Sequence, residues 1–226
     1  MTPHLPLSID VVSDVVCPWC YIGLKRLDAA IAQANDVTVD VRWRPYQLDA
    51  TIPAGGTDRK QYMLAKFGSE DRLAEIHARV AEAGRDAGIE FAFDAIRVSP
   101  NTLDAHRLIR WAGTEGRDVQ TNLVRRLFAM YFEEGRDIGD HAVLTEAART
   151  SDMDSAVVET LLASNADTDE VQAEIDTAAQ MGVRGVPCYL VEGRYAIMGA
   201  QEPAVLADAI RQVAQARARG ELGPAA

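Results

Sequence analysis

Leu7-Ser8-Ile9-Asp10-Val11-Val12-Ser13-Asp14-Val15-Val16-Cys17-Pro18-Trp19-Cys20 is the stretch that decides how this 226-residue chain folds. Its aliphatic run breaks at Ser13-Asp14, and beyond it Leu24, Leu27, Ala30 and Ile31 recur at helical spacing. Pro18 suits a helix's first position, where its missing N–H costs nothing. The pattern predicts a strand, a turn and a helix, with Cys17 at the helix N-terminus. Unpaired backbone N–H groups and the positive end of the helix dipole stabilise an anion there, and a thiolate is the anion on offer. Thiols of Cys-x-x-Cys pairs so placed titrate at about 3.5–7.5, against about 8.5 for a free cysteine.

The same spacing also serves half of a zinc site or a structural staple. A closed zinc site wants four thiolate or imidazole ligands, and this chain has one cysteine pair only. Cys188 stands alone, and His4, His77, His106 and His141 form no His-x3-5-His pair, so no metal site is expected. A bridge closing so short a loop stabilises little. It reads better as a reversible redox dithiol, and no cofactor is called for.

Outward from that stretch, Val37 to Arg44 alternates apolar and polar residues, a half-buried strand that Pro45 stops. Strand, helix and strand within about forty residues make a β-α-β unit with parallel strands. Ile52-Pro53-Ala54-Gly55-Gly56 is a loop. From about Thr57 to Gly182 a succession of helices follows. Thr57 or Asp58 opens the first and Ser69 the second, Ser99-Pro100-Asn101 caps a third bearing Ala105, Leu108, Ile109 and Ala112, and a fourth runs from Asp118 to Gly135. Three shorter helices are expected over Asp140–Arg149, Asp154–Ala163 and Asp169–Met181. At Gly182 the pattern reverts: Val183 and Val186, Cys188 to Val191, a Glu192-Gly193 turn and Arg194 to Met198 read as a hairpin. A last helix starts near Pro203, and the tail from Arg217 is expected to fray. The fold class is thus α/β, one sheet completed by the two ends of the chain, residues 1–50 and 183–226, with residues 51–182 as an inserted all-helical domain.

With 48% hydrophobic and 25% charged residues the chain is globular, and three cysteines exclude a disulfide-dense secreted scaffold. No signal peptide is recognisable at the start, so a cytoplasmic location is expected. No run approaches ~18 apolar residues, and a net charge of −11 argues against nucleic acid and anionic membranes as partners.

The residues also carry a resemblance. Cys17-Pro18-Trp19-Cys20-Tyr21-Ile22-Gly23, Arg42-Trp43-Arg44-Pro45, Pro100-Asn101-Thr102-Leu103-Asp104-Ala105-His106-Arg107-Leu108, Tyr131 to Ile138 and Gly182 to Pro187 follow one another as in the DsbA-family thioredoxin-fold proteins, and the chain resembles their FrnE-type cytoplasmic branch. The resemblance implies a thioredoxin-like fold and a thiol–disulfide oxidoreductase. Cys17 would be the nucleophile, Cys20 the resolving thiol, and Pro187 a cis-proline facing them. Pro18 and Trp19 would shape the dithiol, and Val186 with Pro187 would offer backbone to an extended substrate. Partners would be protein or small-molecule thiols and disulfides, glutathione among them. Relatives usually carry an aromatic residue where this chain has Cys188.

The alternative is a glutathione-dependent isomerase or transferase of the 2-hydroxychromene-2-carboxylate isomerase or kappa type, whose sites usually carry serine where Cys17 stands. A chaperone-like binding module with an incidental dithiol is a third reading. Within the inserted helices, Asn101 and His106 are candidates to line the substrate cleft, against the plainer roles of helix cap and half-buried histidine. Cys188, next to Pro187 on an alternating strand, should point into core; otherwise it would stand near enough to Cys17 or Cys20 for a second bridge.

Overall fold

The computed structural model describes residues 5–222. Strand β1 (Leu7–Ser13) leads through a turn into α1 (Pro18–Gln33), and β2 (Val39–Pro45) returns beside it. A two-residue strand β3 (Thr57–Asp58) precedes α2 (Arg59–Phe67) and α3 (Glu70–Asp86). After β4 (Val98–Ser99) come α4 (Leu103–Glu115), α5 (Arg117–Phe132), α6 (His141–Arg149), α7 (Ser155–Leu162) and α8 (Thr168–Gln180). The chain closes with β5 (Cys188–Val191), β6 (Tyr195–Met198) and α9 (Pro203–Ala218).

The main sheet has the order β2-β1-β5-β6. β1 and β2 are parallel, with Ile9 opposite Val41 and Val11 opposite Trp43. β5 runs antiparallel to β1, placing Cys188 opposite Val12. Alternation then divides the sheet into two faces. Leu7, Ile9, Val11, Tyr189 and Val191 face α1 and α9 in the main core, while Val12 and Cys188 join a smaller cluster with Val183 and Ala178 of α8.

The helical stretch begins where short polar side chains can satisfy orphan N–H groups. Asp58 accepts from Gln61 N–H, Ser69 from Arg72 N–H, Asp140 from Ala142 N–H and Asp154 from Ala156 N–H. The stretch shares its core with α1: Tyr21 stacks on Phe128 with centroids 5.0 Å apart and meets Phe91 edge-on at 6.1 Å.

Several expectations are corrected. The helical stretch contains a two-stranded antiparallel ribbon, Thr57 opposite Ser99, too short for any periodicity to reveal. The chain does not fray from Arg217: α9 runs to Ala218, and the Arg217 guanidinium donates to Pro6 O at 3.0 Å and to Glu192 at 3.3 Å. The last residues of the expected tail, 223–226, lie outside the described residues.

Two buried polar side chains complete the frame. β2 is an edge strand, and α5 covers it: Gln120 accepts from Trp43 N–H at 3.1 Å and donates to Trp43 O and Ile109 O. A side-chain amide thus takes the place of a neighbouring strand. Arg107, 2% exposed, donates to the carbonyls of Leu161, Ser164 and Ala166 around the end of α7, and to Asp104.

Candidate active site

Cys17 is the N-cap residue of α1, with extended backbone (φ −92°, ψ 113°), and Pro18 occupies the first helical position. The turn before it is closed by Cys17 N–H donating to Asp14 O at 3.0 Å, while the Cys17 carbonyl accepts from Cys20 N–H at 3.0 Å. The helix therefore begins where the proline pattern places it, with Cys17 at its positive end. Cys20, one turn on, is 1% exposed. Burial pushes its thiol well above the ordinary 9.0, the adjacent Cys17 pushes the same way, and the Ser13 hydroxyl and Asp14 N–H pull less strongly against them. Cys17, Cys20 and Cys188 are all free thiols.

Facing the dithiol is the loop before β5. The Val186–Pro187 peptide bond is cis, and the Val186 carbonyl oxygen lies 3.9 Å from Cys17 Sγ. Among the described residues the Val186 N–H and C=O make no other hydrogen bond, so both remain available to a bound chain. Cys188, fully buried, points to the opposite face of the sheet, as period-two alternation requires, and joins a different cluster from Cys17 and Cys20. Burial pushes its thiol up as well.

A cavity of about 420 Å³ opens beside Cys17. Pro18, Trp19, Gly185 and Val186 line it on the dithiol side, and Met63, Phe67, Ile76, Val80 and Phe93 on the side of α2 and α3. Cys20 does not reach it. Trp19 remains 40% exposed at the rim, which leaves it free to meet a bound substrate.

Asn101 and His106 do not line this cavity, which corrects the expectation for both. Asn101 accepts from Leu103 N–H at 3.0 Å at the start of α4, and it ties the loop after β2 by donating to Ile52 O at 2.7 Å. His106 lies 3% exposed behind the site, its Nε2 2.9 Å from Tyr46 O and 3.5 Å from the Asp14 carboxylate. The carbonyl partner requires Nε2 to carry the hydrogen. Asp14 also accepts from Leu48 N–H at 2.8 Å. Asn101, just before α4, and His106 within it therefore hold the loop that forms one cavity wall. Sequence reasoning passed over Asp14, Arg59, His77 and Tyr131, four polar residues of the cavity wall. Asp14 had a signal in its place in the break before Cys17, and Tyr131 in opening one of the motifs that carry the resemblance.

Among the described residues no group of three or more His, Cys, Asp or Glu side chains is placed to hold a metal ion. No helix among them is long and apolar enough to cross a membrane.

A four-stranded sheet of this order, with a Cys-x-x-Cys pair at the N-cap of its first helix and a cis-proline across from it, defines a thioredoxin-fold protein. The chain belongs to the DSBA-like thioredoxin domain family, which it matches over residues 8–211. It is 27% identical over 216 residues to the uncharacterized protein YwbO of Bacillus subtilis (strain 168), covering 93% of this chain and 96% of that one. Among solved structures it is similar to a probable DsbA oxidoreductase from Streptomyces coelicolor, with a TM-score of 0.82 and 27% identity, over 97% of this chain and 93% of that one. It also shares its fold with the cytosolic disulfide reductase DsbM from Pseudomonas aeruginosa, solved with GSH, at a TM-score of 0.62 and 18% identity, over 94% of this chain and all 100% of that one.

Proposed function

We propose that this protein is a thiol–disulfide oxidoreductase of the FrnE type, with Cys17 as nucleophile and Cys20 as resolving thiol. The observation that carries the reading is asymmetry: of the two thiols only Cys17 lines the cavity, while Cys20 is sealed behind it with its thiol pushed up. A Cys17 thiolate attacks one sulfur of a substrate disulfide. The Cys17–S bond forms, the substrate S–S bond breaks, and the first substrate thiolate leaves. Cys20, after giving up its proton, attacks the Cys17 sulfur, expelling the second thiolate and closing Cys17–Cys20. Two electrons pass from the dithiol to the substrate, which takes up two protons. The reverse sequence oxidises a dithiol substrate.

Pro18 and Trp19 shape the apolar rim, and Val186 and Pro187 present backbone to the substrate beside Cys17. Of the described residues, those within 1–50 and 183–226 form the thioredoxin-like unit and residues 51–182 the insertion that walls the cavity. Substrates are thiols and disulfides, and the reaction runs in the cytoplasm.

The test is a redox titration in glutathione buffers combined with trapping. A two-electron Cys17–Cys20 transition is expected, with Cys20→Ser accumulating a mixed disulfide on Cys17. Undiminished exchange by Cys17→Ser sinks the reading.

A further inference from the structure

The cavity carries polar groups that the exchange chemistry does not use. Arg59, the first residue of α2, donates from Nη1 to the Tyr131 hydroxyl at 2.8 Å, and its guanidinium carbon lies 5.6 Å from the centroid of that ring. Tyr131 is fully buried and lines the same cavity, so the guanidinium lies on the cavity side of α2. Arg59 forms no ion pair with any carboxylate among the described residues. The other cation of the wall, Lys66, is exposed to solvent; it donates to the Tyr62 hydroxyl at 2.8 Å, which in turn donates to Asp49 at 3.1 Å. Asp14 is engaged by Leu48 N–H and His106.

Beside Arg59, His77 stacks on Phe93 with centroids 4.3 Å apart and an interplanar angle of 13°. Its Nε2 is buried and has no hydrogen-bond partner among the described residues. Burial and the neighbouring Arg59 charge push the His77 ring down from its ordinary pKa, and the carboxylate that opposes them, Asp94, stands exposed outside the cavity. A half-buried guanidinium without a counter-ion gains from an incoming anion, a buried Nε2 without a partner gains from it as the N–H tautomer of the ring, and the gain grows where the surroundings are apolar.

We propose that Arg59 and His77 form an anion subsite in the cavity wall, and that the substrate exchanged at Cys17 is a small-molecule thiol or disulfide with an apolar body and a carboxylate. This rests on the exchange reading of Cys17. The volume of about 420 Å³ suits a small ligand. The apolar wall of the cavity that Cys17 and Arg59 share, made by Met63, Phe67, Ile76, Val80 and Phe93, suits an apolar body. A peptide reaching Arg59 would bring its backbone N–H and C=O groups against that wall unpaired. Trp19 and the Val186 carbonyl would hold the reacting sulfur at the other end.

The test compares single-turnover rate constants of the reduced protein at fixed ionic strength with dithiobis-nitrobenzoate, an aromatic disulfide bearing carboxylates, and dithiodipyridine, its uncharged counterpart. A disulfide-bridged peptide with aspartate beside its cysteine is the third arm. Arg59→Gln should lower the nitrobenzoate-to-pyridine ratio about tenfold, the size of one hydrogen bond to a charged group. Arg59→Lys should keep most of the ratio, and His77→Phe, which preserves stacking on Phe93, should lower it. A ratio that moves less than twofold in Arg59→Gln overturns the subsite, as does a proportional fall with both reagents, which marks Arg59 as structural. A larger loss with the acidic peptide than with dithiobis-nitrobenzoate overturns the small-molecule assignment. If the unmodified protein exchanges with none of the three, the oxidoreductase reading itself has failed; ordinary exchange with an unmoved ratio removes only the subsite.

Discussion

Gly23 on α1 and Pro187 approach so closely that a β-carbon on the glycine would lie 2.9 Å from the proline Cγ, and 2.5 Å from the Tyr189 hydroxyl oxygen. The helix that carries the dithiol can therefore lie against the cis-proline loop only where it has no side chain. The placement of Cys17 beside Val186 depends on that approach.

Gly23→Ala is accordingly expected to destabilise the protein. Alanine gains up to about 1 kcal/mol of helix propensity over glycine, whereas overpacking a tight contact costs about 1–3 kcal/mol. Pro187 and Tyr189 are both buried and cannot swing aside, so the second effect wins. Urea midpoints and single-turnover exchange rates check this, and both should fall. An unchanged or raised midpoint would show that α1 is free to shift.

Alkylation should discriminate the two thiols of the dithiol. At mildly acidic pH, mass mapping of the reduced protein should find Cys17 modified first, because it lines the cavity and Cys20 does not. Earlier modification of Cys20 contradicts the assignment of nucleophile and resolving thiol.

Gln120→Leu should cost about 1–3 kcal/mol, since it leaves the buried Trp43 N–H without an acceptor on the edge of the sheet. Chemical denaturation measures the loss. A neutral result would mean that another group reaches β2.

The stability of the reduced protein should fall as pH rises above about 9, the ordinary pKa of its cysteine thiols. Cys20 binds its proton more tightly folded than unfolded. Its contribution is therefore complete below the unfolded pKa and is lost as pH climbs towards the raised folded value. Cys188 shifts the same way, and burial pushes Tyr131 up to about 12. Closing the Cys17–Cys20 bridge removes the Cys20 proton, so the oxidised protein should lose less stability between neutral pH and pH ~10. Urea titrations of both forms across that range decide it; equal slopes would contradict the buried-thiol assignment.

Cys188→Ala should exchange disulfides at the ordinary rate and lose about 1 kcal/mol of stability from missing packing. A shifted reduction potential would show instead that Cys188 communicates with the dithiol through the sheet.

What the sequence determined by itself was whatever local chemistry encodes. Period-two and helical patterning placed β1, α1 and β2 within one or two residues, and Pro18 put Cys17 at the helix N-cap. Asp58, Ser69, Asp140 and Asp154 each announced a helix, because a short acceptor side chain satisfies N–H groups two or three residues away. The alternation of β5 already turned Cys188 away from Pro187.

Tertiary structure alone decided what depends on residues distant in the chain. The pairing of Thr57–Asp58 with Val98–Ser99 spans about forty residues and has too few positions for a pattern. Gln120 on Trp43 and Arg107 around the end of α7 are single polar side chains that read as surface residues until the partners they satisfy are packed against them. The same holds for the cavity: Cys17, Arg59, His77 and Tyr131 come from four separate elements. Asn101 and His106 lie behind the wall because the start of α4 faces the loop after β2. Burial and proximity are set by packing, and packing is a property of the whole chain.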